Sequence, residues 1–453
     1  MIKSKFKYNT KTIWLIVGVS IIAIFNILYF TKTDHIYLSK ETKQCIDCHK
    51  KENIHTSQIV EWSKSEHALK GVGCFECHTA MKEDSDAWNH EGIVISKIVS
   101  PKDCSKCHIK EFKEFDSSHH AKGGEILGSI DNYIGEVVEG PGASIQGCQS
   151  CHGSIIKINK DGSIDPKTWP NIGIGRLNPD GSKGSCSACH SKHNFSMAVA
   201  RNPRSCAKCH IGPDHPQIEI YEESIHGRIF MSKEKDMNLD NPEWILGKDY
   251  TAAPNCVTCH MGGSKNLLKT HDIGNRLSLD LRSVLSKPTD NSDAKRENMK
   301  MICRNCHGTE WFNNFYKQLD STVDLYNNQY AGPATEIMNR LRAKGVLTPQ
   351  PLDEEIEWIY FELWHHEGRR VRHGAAMMGP DYVQWHGFYE LAHNFYFKFL
   401  PLAKELGETE YVENLLNEPE HAWIKGYKPE NLKLQEAAFE KWQKLKQQQV
   451  NRK

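Results

Sequence analysis

Not one cysteine of this 453-residue chain stands outside a single repeated motif. All 16 fall in eight copies of Cys-x-x-Cys-His, beginning at Cys45, Cys74, Cys104, Cys148, Cys186, Cys206, Cys256 and Cys303. That excludes a disulfide framework or a set of zinc knuckles, neither of which places a histidine after every pair. Net charge is missing too: 57 basic residues balance 57 acidic ones, which speaks against a nucleic-acid partner. Hydrophobic residues are scarce, 39% of the chain, little for one ordinary core at this length. No motif ends in lysine instead of histidine, and residues 311–425 contain no cysteine.

Cys-x-x-Cys-His is the attachment site of a c-type haem. Two thioethers tether the porphyrin and the adjacent histidine ligates iron. Eight haems c are therefore expected on the pairs Cys45 and Cys48, Cys74 and Cys77, Cys104 and Cys107, Cys148 and Cys151, Cys186 and Cys189, Cys206 and Cys209, Cys256 and Cys259, and Cys303 and Cys306. The proximal ligands are His49, His78, His108, His152, His190, His210, His260 and His307. Successive motifs start 20 to 50 residues apart, too close for separate domains, so one haem-packed body is expected, with porphyrin replacing much of the apolar interior. Thioether attachment takes place outside the bacterial cytoplasmic membrane, which predicts a periplasmic protein.

The N-terminus agrees. Lys3, Lys5, Lys7 and Lys11 precede an apolar stretch, Ile13 to Phe30, broken only by Gly18, Ser20 and Asn26. This is a positive-inside export segment close to the ~20 residues that span a bilayer. No small-x-small cleavage site comes after it, so residues 1–32 predict an uncleaved anchor, with a removed signal peptide as the alternative. Residues 41–310 form the haem-binding region and residues 311–425 a helical region. One helix there is expected to start behind Asp353 as N-cap and run towards His373, another to begin after Pro380-Asp381 and reach Leu400-Pro401. Residues 426–453 read as a polar amphipathic tail helix, solvated or an oligomer contact. Gly153–Gly184 is a loop with at most one small hairpin. The expected fold is mainly α, a multihaem cytochrome c with a haem-packed core, a C-terminal bundle of long helices and little β structure.

Subtracting the eight motif histidines from 24 leaves 16. A haem that only relays electrons takes two strong axial ligands, whereas one that does chemistry keeps a side open. His67, His119 or His120, His193, His226 and His271 sit on short polar segments as candidate distal ligands, then His90 and His55, with His386 further along. His35 and His421 are left to solvent. Taken alone, Asp214-His215 after the sixth motif reads as a turn or as one more axial ligand, stiffened by Pro213 and Pro216.

The string CHIGPDHPQIEIYEESIHG (Cys209 to Gly227), the eight motifs and the cysteine-free C-terminal part resemble the hydroxylamine oxidoreductase family of octahaem cytochromes c. That family includes hydrazine dehydrogenases and octahaem nitrite or hydroxylamine reductases. The resemblance covers about residues 41–425. It implies that the fourth haem, on Cys148, Cys151 and His152, is catalytic, and that Asp214 and His215 are its distal proton-handling pair. The absence of a lysine-ending motif separates the chain from the ammonia-forming nitrite reductases that use one.

The resemblance also implies a homotrimer. Members that oxidise hydroxylamine or hydrazine cross-link the catalytic haem to a tyrosine of a neighbouring subunit, and members without the cross-link work reductively. Tyr382, His386, Tyr389, His393 and Tyr396 are spaced for one helical face. Such a stripe is either ordinary packing or a haem-facing surface. Tyr382 is the first candidate for the cross-link, then Tyr389 and Tyr360. The implied activity is oxidation of hydroxylamine, or hydrazine, with electrons passed to a partner cytochrome or a quinone-linked membrane protein. The alternatives are a nitrite or hydroxylamine reductase and a non-catalytic electron conduit.

Overall fold

The computed structural model describes residues 37–428 and 430–450; the expected anchor, residues 1–32, and His35 lie outside the described residues. The described residues are 59% helix and 6% strand, the mainly α fold that the sequence predicts. The described chain divides into two compact units. One holds the residues up to Thr79 together with Lys192–Asn194, the other Ala80–Ser191 and everything from Phe195.

In the first unit the helix Lys40–Lys51 carries the first motif and the short helix Cys74–His78 the second. One buried threonine ties them together. Thr42 Oγ1 donates to Glu76 Oε2 (3.0 Å) and accepts from the Phe75 amide (3.2 Å), while Glu76 also accepts from the Gly73 amide (2.8 Å). A Cβ on Gly73 would stand 2.3 Å from Thr42 Cγ2, so only glycine permits this approach.

In the second unit the haem-binding region is built of short helices and loops, with a hairpin pairing β1 (Ala87–His90) to β2 (Ile93–Ser96). The loop Gly153–Gly184 folds back behind the fourth motif. There a Cβ on Gly173 would lie 2.1 Å from the Gly153 nitrogen, and one on Gly175 2.5 Å from Gly123 Cα. Three stretches of backbone cross where no side chain fits, which seats the helix Cys148–His152.

Protein side chains do build a substantial core in the C-terminal part. Tyr326, Ile337, Met338, Leu341, Ile356, Phe395, Phe399 and Val412 are buried in one cluster. The first expected helix begins at Glu355 after Glu354, and Asp353 instead accepts from the Thr348 hydroxyl (2.9 Å). It continues through a π turn, Glu362–Glu367, into Gly368–Met377. The second begins at Pro380 as expected, but π turns at Gln384–Tyr389 and Phe395–Phe399 each insert an extra residue per turn and rotate the residues beyond them about the helix axis. The tyrosine and histidine stripe therefore leaves its single face. Tyr389 is 57% exposed, whereas Tyr396 is 3% exposed and bonded through its hydroxyl to His421 Nδ1 (2.7 Å). His421, expected in solvent, is thus a core residue, because the tyrosine hydroxyl supplies a partner for its ring nitrogen. The tail forms the helix Glu430–Val450. No helix among the described residues is long and apolar enough to cross a membrane.

Candidate functional site

The motifs approach one another in a fixed order. Within the second unit the thiols of Cys104 and Cys186, of Cys151 and Cys209, and of Cys206 and Cys256 lie within hydrogen-bonding reach. Cys189 and Cys206, and Cys259 and Cys303, are close enough to feel each other's charge. The third motif therefore adjoins the fifth, the fifth the sixth, the sixth both the fourth and the seventh, and the seventh the eighth. In the first unit Cys45 neighbours Cys74 in the same way.

The histidines test whether haem fits. Two imidazoles sharing one metal through bonds of about 2 Å stand with ring centres roughly 6 Å apart. His190 and His271 are 6.5 Å apart and nearly parallel, His120 and His210 are 6.2 Å apart, and His226 and His307 6.1 Å. Three proposed distal histidines thus face the fifth, sixth and eighth motifs at the required separation. Burial holds His120 down at about 4 and lowers His226 and His271, so these imidazoles stay neutral, the form that ligates. In the first unit His193 lies near enough to His78 to be lowered by it, after burial, and His49 stands 5.3 Å from His55. His67 lies in the helix Glu66–Leu69, and His90 ends β1 against the Trp88 ring. Both ring nitrogens of His386 face carboxylates, Nε2 towards Asp381 (3.4 Å) and Nδ1 towards Glu390 (3.1 Å). If His226 is the sixth ligand at the eighth motif, His226→Ala should convert one haem to high spin and leave the others unchanged in the EPR spectrum; an unaltered spectrum would reject the pairing.

The fourth motif has richer surroundings. His152 faces His215 at 6.5 Å, with ring planes 29° apart. The turn that presents His215 is set locally. Gly212 takes a left-handed φ of 102°, its amide bonds Glu219 Oε1 (3.2 Å), and the His215 carbonyl accepts from Gln217 N (2.8 Å). Asp214 Oδ1 lies 3.5 Å from His215 Nδ1. Its other oxygen accepts from Arg369 Nη1 (3.2 Å) and lies 3.9 Å from His365 Nε2. His365 Nε2 is 2.6 Å from Asp131 Oδ1 and 3.0 Å from Arg369 Nη1. One nitrogen cannot donate to Asp131 and accept from Arg369 together. The shorter, charge-assisted contact makes Nε2 the protonated nitrogen, and Arg369 then serves Asp214.

Burial opposes ionisation of Asp131, but the hydrogen bond and charge of His365, with Arg369, carry its carboxyl below the usual range. Burial and then His365 push His366 down to about 4. His373, which the sequence reading assigned no role, is buried and neutral, and its Nδ1 has no hydrogen bond.

The sequence-level pair Asp214-His215 thus meets the fourth motif, joined by Asp131, His365 and Arg369, which sequence reasoning missed. Tyr382 stands elsewhere, among Glu219, Glu223 and Asp381, with its ring 5.5 Å from His386. Tyr360 bonds Thr335 through its hydroxyl (3.0 Å), and Tyr389 packs on Trp385.

Repeated Cys-x-x-Cys-His helices, cysteines brought together in neighbouring motifs and neutral imidazoles opposed at ligating distance define a multihaem cytochrome c carrying covalent haem c. The comparisons agree. The family described as "Seven times multi-haem cytochrome CxxCH" matches residues 179–354, "Cytochrome c3" residues 100–211, and "Cytochrome c554 and c-prime" residues 29–79. A probable nitrite reductase-hydroxylamine oxidoreductase fusion protein of Kuenenia stuttgartiensis is 28% identical over 256 residues, 48% of this chain but only 25% of that protein. The cytochrome c-type protein NrfH of Wolinella succinogenes is 26% identical over 34% of this chain and 88% of its own length. Among solved structures, a hypothetical multiheme protein superposes with TM-score 0.72 at 24% identity, over 83% of this chain and 97% of its own. A reducing HAO-like protein complex of Kuenenia stuttgartiensis gives TM-score 0.61 at 20% identity over 83% of this chain and 87% of its own. Both show a shared fold.

Proposed function

We propose that the chain is an octahaem cytochrome c that oxidises hydroxylamine, or hydrazine, at its fourth motif and passes the electrons along the others. The observation that carries this reading is the convergence of Asp131, Asp214, His215, His365 and Arg369 at the fourth motif, beside His152, in addition to an opposing imidazole of the kind that the fifth, sixth and eighth motifs meet. Haem bound there would supply the iron that takes the nitrogen atom and the first sink for its electrons. The chain's own part is protonic. Asp214, fixed by Arg369, accepts substrate protons, and His215 relays them. Haem held by the sixth motif, whose Cys209 meets Cys151, would be placed to take electrons first, with haems on the fifth and third or on the seventh and eighth motifs beyond it. The names of the Kuenenia relatives support a nitrogen compound as substrate. They also support a second direction, reduction of nitrite or hydroxylamine.

On the same reading the protein works on the periplasmic side of the membrane, anchored by residues 1–32. It forms a homotrimer in which a neighbour's tyrosine, Tyr382 first, reaches the fourth haem. Its electrons go to a cytochrome or a quinone-linked membrane protein. One observation favours a conduit instead: His215 stands from His152 at the same 6.5 Å that separates His190 from His271.

Spectroscopy with peptide mapping decides among the three. A high-spin signal and a fourth-motif peptide carrying haem joined to a tyrosine peptide is the oxidative outcome. A high-spin signal with an ordinary fourth-motif peptide is the reductive one. Low-spin iron alone would overturn catalysis and leave the conduit.

A further inference from the structure

A buried carboxyl with no part in the reaction proposed above closes the π turn Glu362–Glu367. Glu367 is 3% exposed. Its Oε1 accepts from Asn394 Nδ2, while its Oε2 is buried with no hydrogen-bond partner among the described residues. Three residues on, Arg370 is left open in the same way. Its Nη1 bonds Glu390 Oε2 (2.9 Å), in the helix Glu390–Asn394, but its Nε is buried without a partner. We propose that Glu367 is a pH switch: it carries a proton at low pH, and on losing it takes the open Nε of Arg370, which closes a link from the π turn through Arg370 to Glu390. The switch goes beyond the reaction at the fourth motif and does not depend on it.

The hydrogen bonds decide which form the structure holds. An ionised carboxylate here would keep one amide donor and one bare oxygen, with no water on either. A buried charge so poorly compensated costs far more than a neutral acid with a single unpaired atom. The charged and titratable groups facing Glu367 are Glu362 and Arg370 from its own helix, Glu390 from the helix beside it, and the buried, neutral Tyr326 from the helix Thr309–Tyr326. Burial is the largest influence on the carboxyl. The Asn394 hydrogen bond and Arg370 oppose it, Glu362 and Glu390 reinforce it, and Glu367 is pushed up to about 7. Residues three apart on a helix are neighbours, so a small turn of the guanidinium brings Nε to Glu367 while Nη1 stays on Glu390.

The sign follows from the direction of the shift. A carboxyl held above its ordinary 4.5 in the native state favours folding fully below 4.5 and loses that contribution as pH rises through about 7. Pairing with Arg370 limits the loss at the upper end. The step falls near neutrality, and it falls on the segment that presents His365, two residues before Glu367, and Arg369, two residues after it. Protonation of Glu367 thus sets how firmly that segment is tied to the helix Glu390–Asn394.

Two variants of the haem-loaded protein test this, Glu367→Gln and Arg370→Gln. Glutamine at 367 keeps an acceptor for Asn394, puts an N–H where the acid has its O–H, and cannot ionise. Infrared spectra of the native protein, with those of Glu367→Gln subtracted, should show the carbonyl stretch of a buried carboxylic acid at about pH 5, fading as pH rises through about 7. In Arg370→Gln the same titration should move up by about one pH unit, because the cation that favours the ion is gone. Denaturant unfolding should find Glu367→Gln equal to the native protein at about pH 5 and more stable at about pH 8, by on the order of 100-fold in the folding equilibrium. No acid band at low pH would overturn the proton on Glu367, as would a Glu367→Gln variant no more stable than native at the higher pH. An acid band whose titration does not move in Arg370→Gln would overturn the pairing, and with it the switch. None of these readouts needs turnover, so failure of the switch and failure of the reaction proposed at the fourth motif are told apart.

Discussion

Replacing Asp214 with asparagine is expected to leave the haems in place and lower kcat by about 100- to 10,000-fold, the usual range for removing a general base. Asparagine keeps the shape and an acceptor oxygen. The hydrogen bond from Arg369 Nη1, 3.2 Å in the native protein, therefore persists, and the turn between Pro213 and Pro216 has no reason to move. What disappears is the basicity of the carboxylate and its charge opposite a buried guanidinium. Burial already lowers the Arg369 pKa, with Asp214 and Asp131 opposing, so the variant should also lose some stability. Asp131 remains to offset that loss. The decisive measurement is kcat against haem content and unfolding midpoint. A large kcat loss with KM and haem content near native, and no more than a small drop in midpoint, assigns Asp214 to the chemistry. Unchanged turnover removes it, and loss of several haems shows that the substitution probes folding instead.

The parts of the site that were legible in the sequence are those whose chemistry is local. A thioether motif occupies five consecutive residues, so every proximal ligand could be named without a fold. Asp214 and His215 are adjacent, and the string around them carries its own signature. The proposed distal ligands were legible only by type, since His226 meets His307, and His271 meets His190, through tertiary folding alone. The same reason hid Asp131, His365 and Arg369. Arg369 meets Asp214 across 155 residues, and in the sequence it is one of three arginines between Glu367 and His373. His365 also sits in a π turn, where a regular helical period assigns the wrong face. That error in period misplaced the tyrosine and histidine stripe. His421 was misread for a different reason, because nothing in its neighbourhood announces the hydroxyl of Tyr396 that makes burial tolerable.

The largest stability effect expected from a single side chain outside the haem ligands belongs to Arg276. It is 2% exposed, and its guanidinium donates to four carbonyls: Thr258 (3.3 Å), Cys259 (2.9 Å), Gly262 (2.6 Å) and Leu268 (3.2 Å). The first two belong to the short helix Cys256–His260 that carries the seventh motif. A five-residue helix leaves its last carbonyls unpaired, and a cation at that end satisfies them and opposes the helix dipole. Burial draws Arg276 down to about 10, so it stays charged at neutral pH and its bonds are charge-assisted. Arg276→Met fills a similar volume and donates nothing. Four carbonyls would lose their donor, each buried one costing about 1–3 kcal/mol, partly recovered as the loop relaxes and water enters, for a net loss of about 4 kcal/mol. Arg276→Lys, with one ammonium in place of a fork, should recover less than half of that. Denaturant unfolding of the haem-loaded protein measures both. A loss below about 1 kcal/mol in Arg276→Met would mean that water replaces the guanidinium without penalty. The expected loss, with haem missing first from the Cys256–Cys259 peptide, would make Arg276 the residue that holds the seventh motif in shape for attachment.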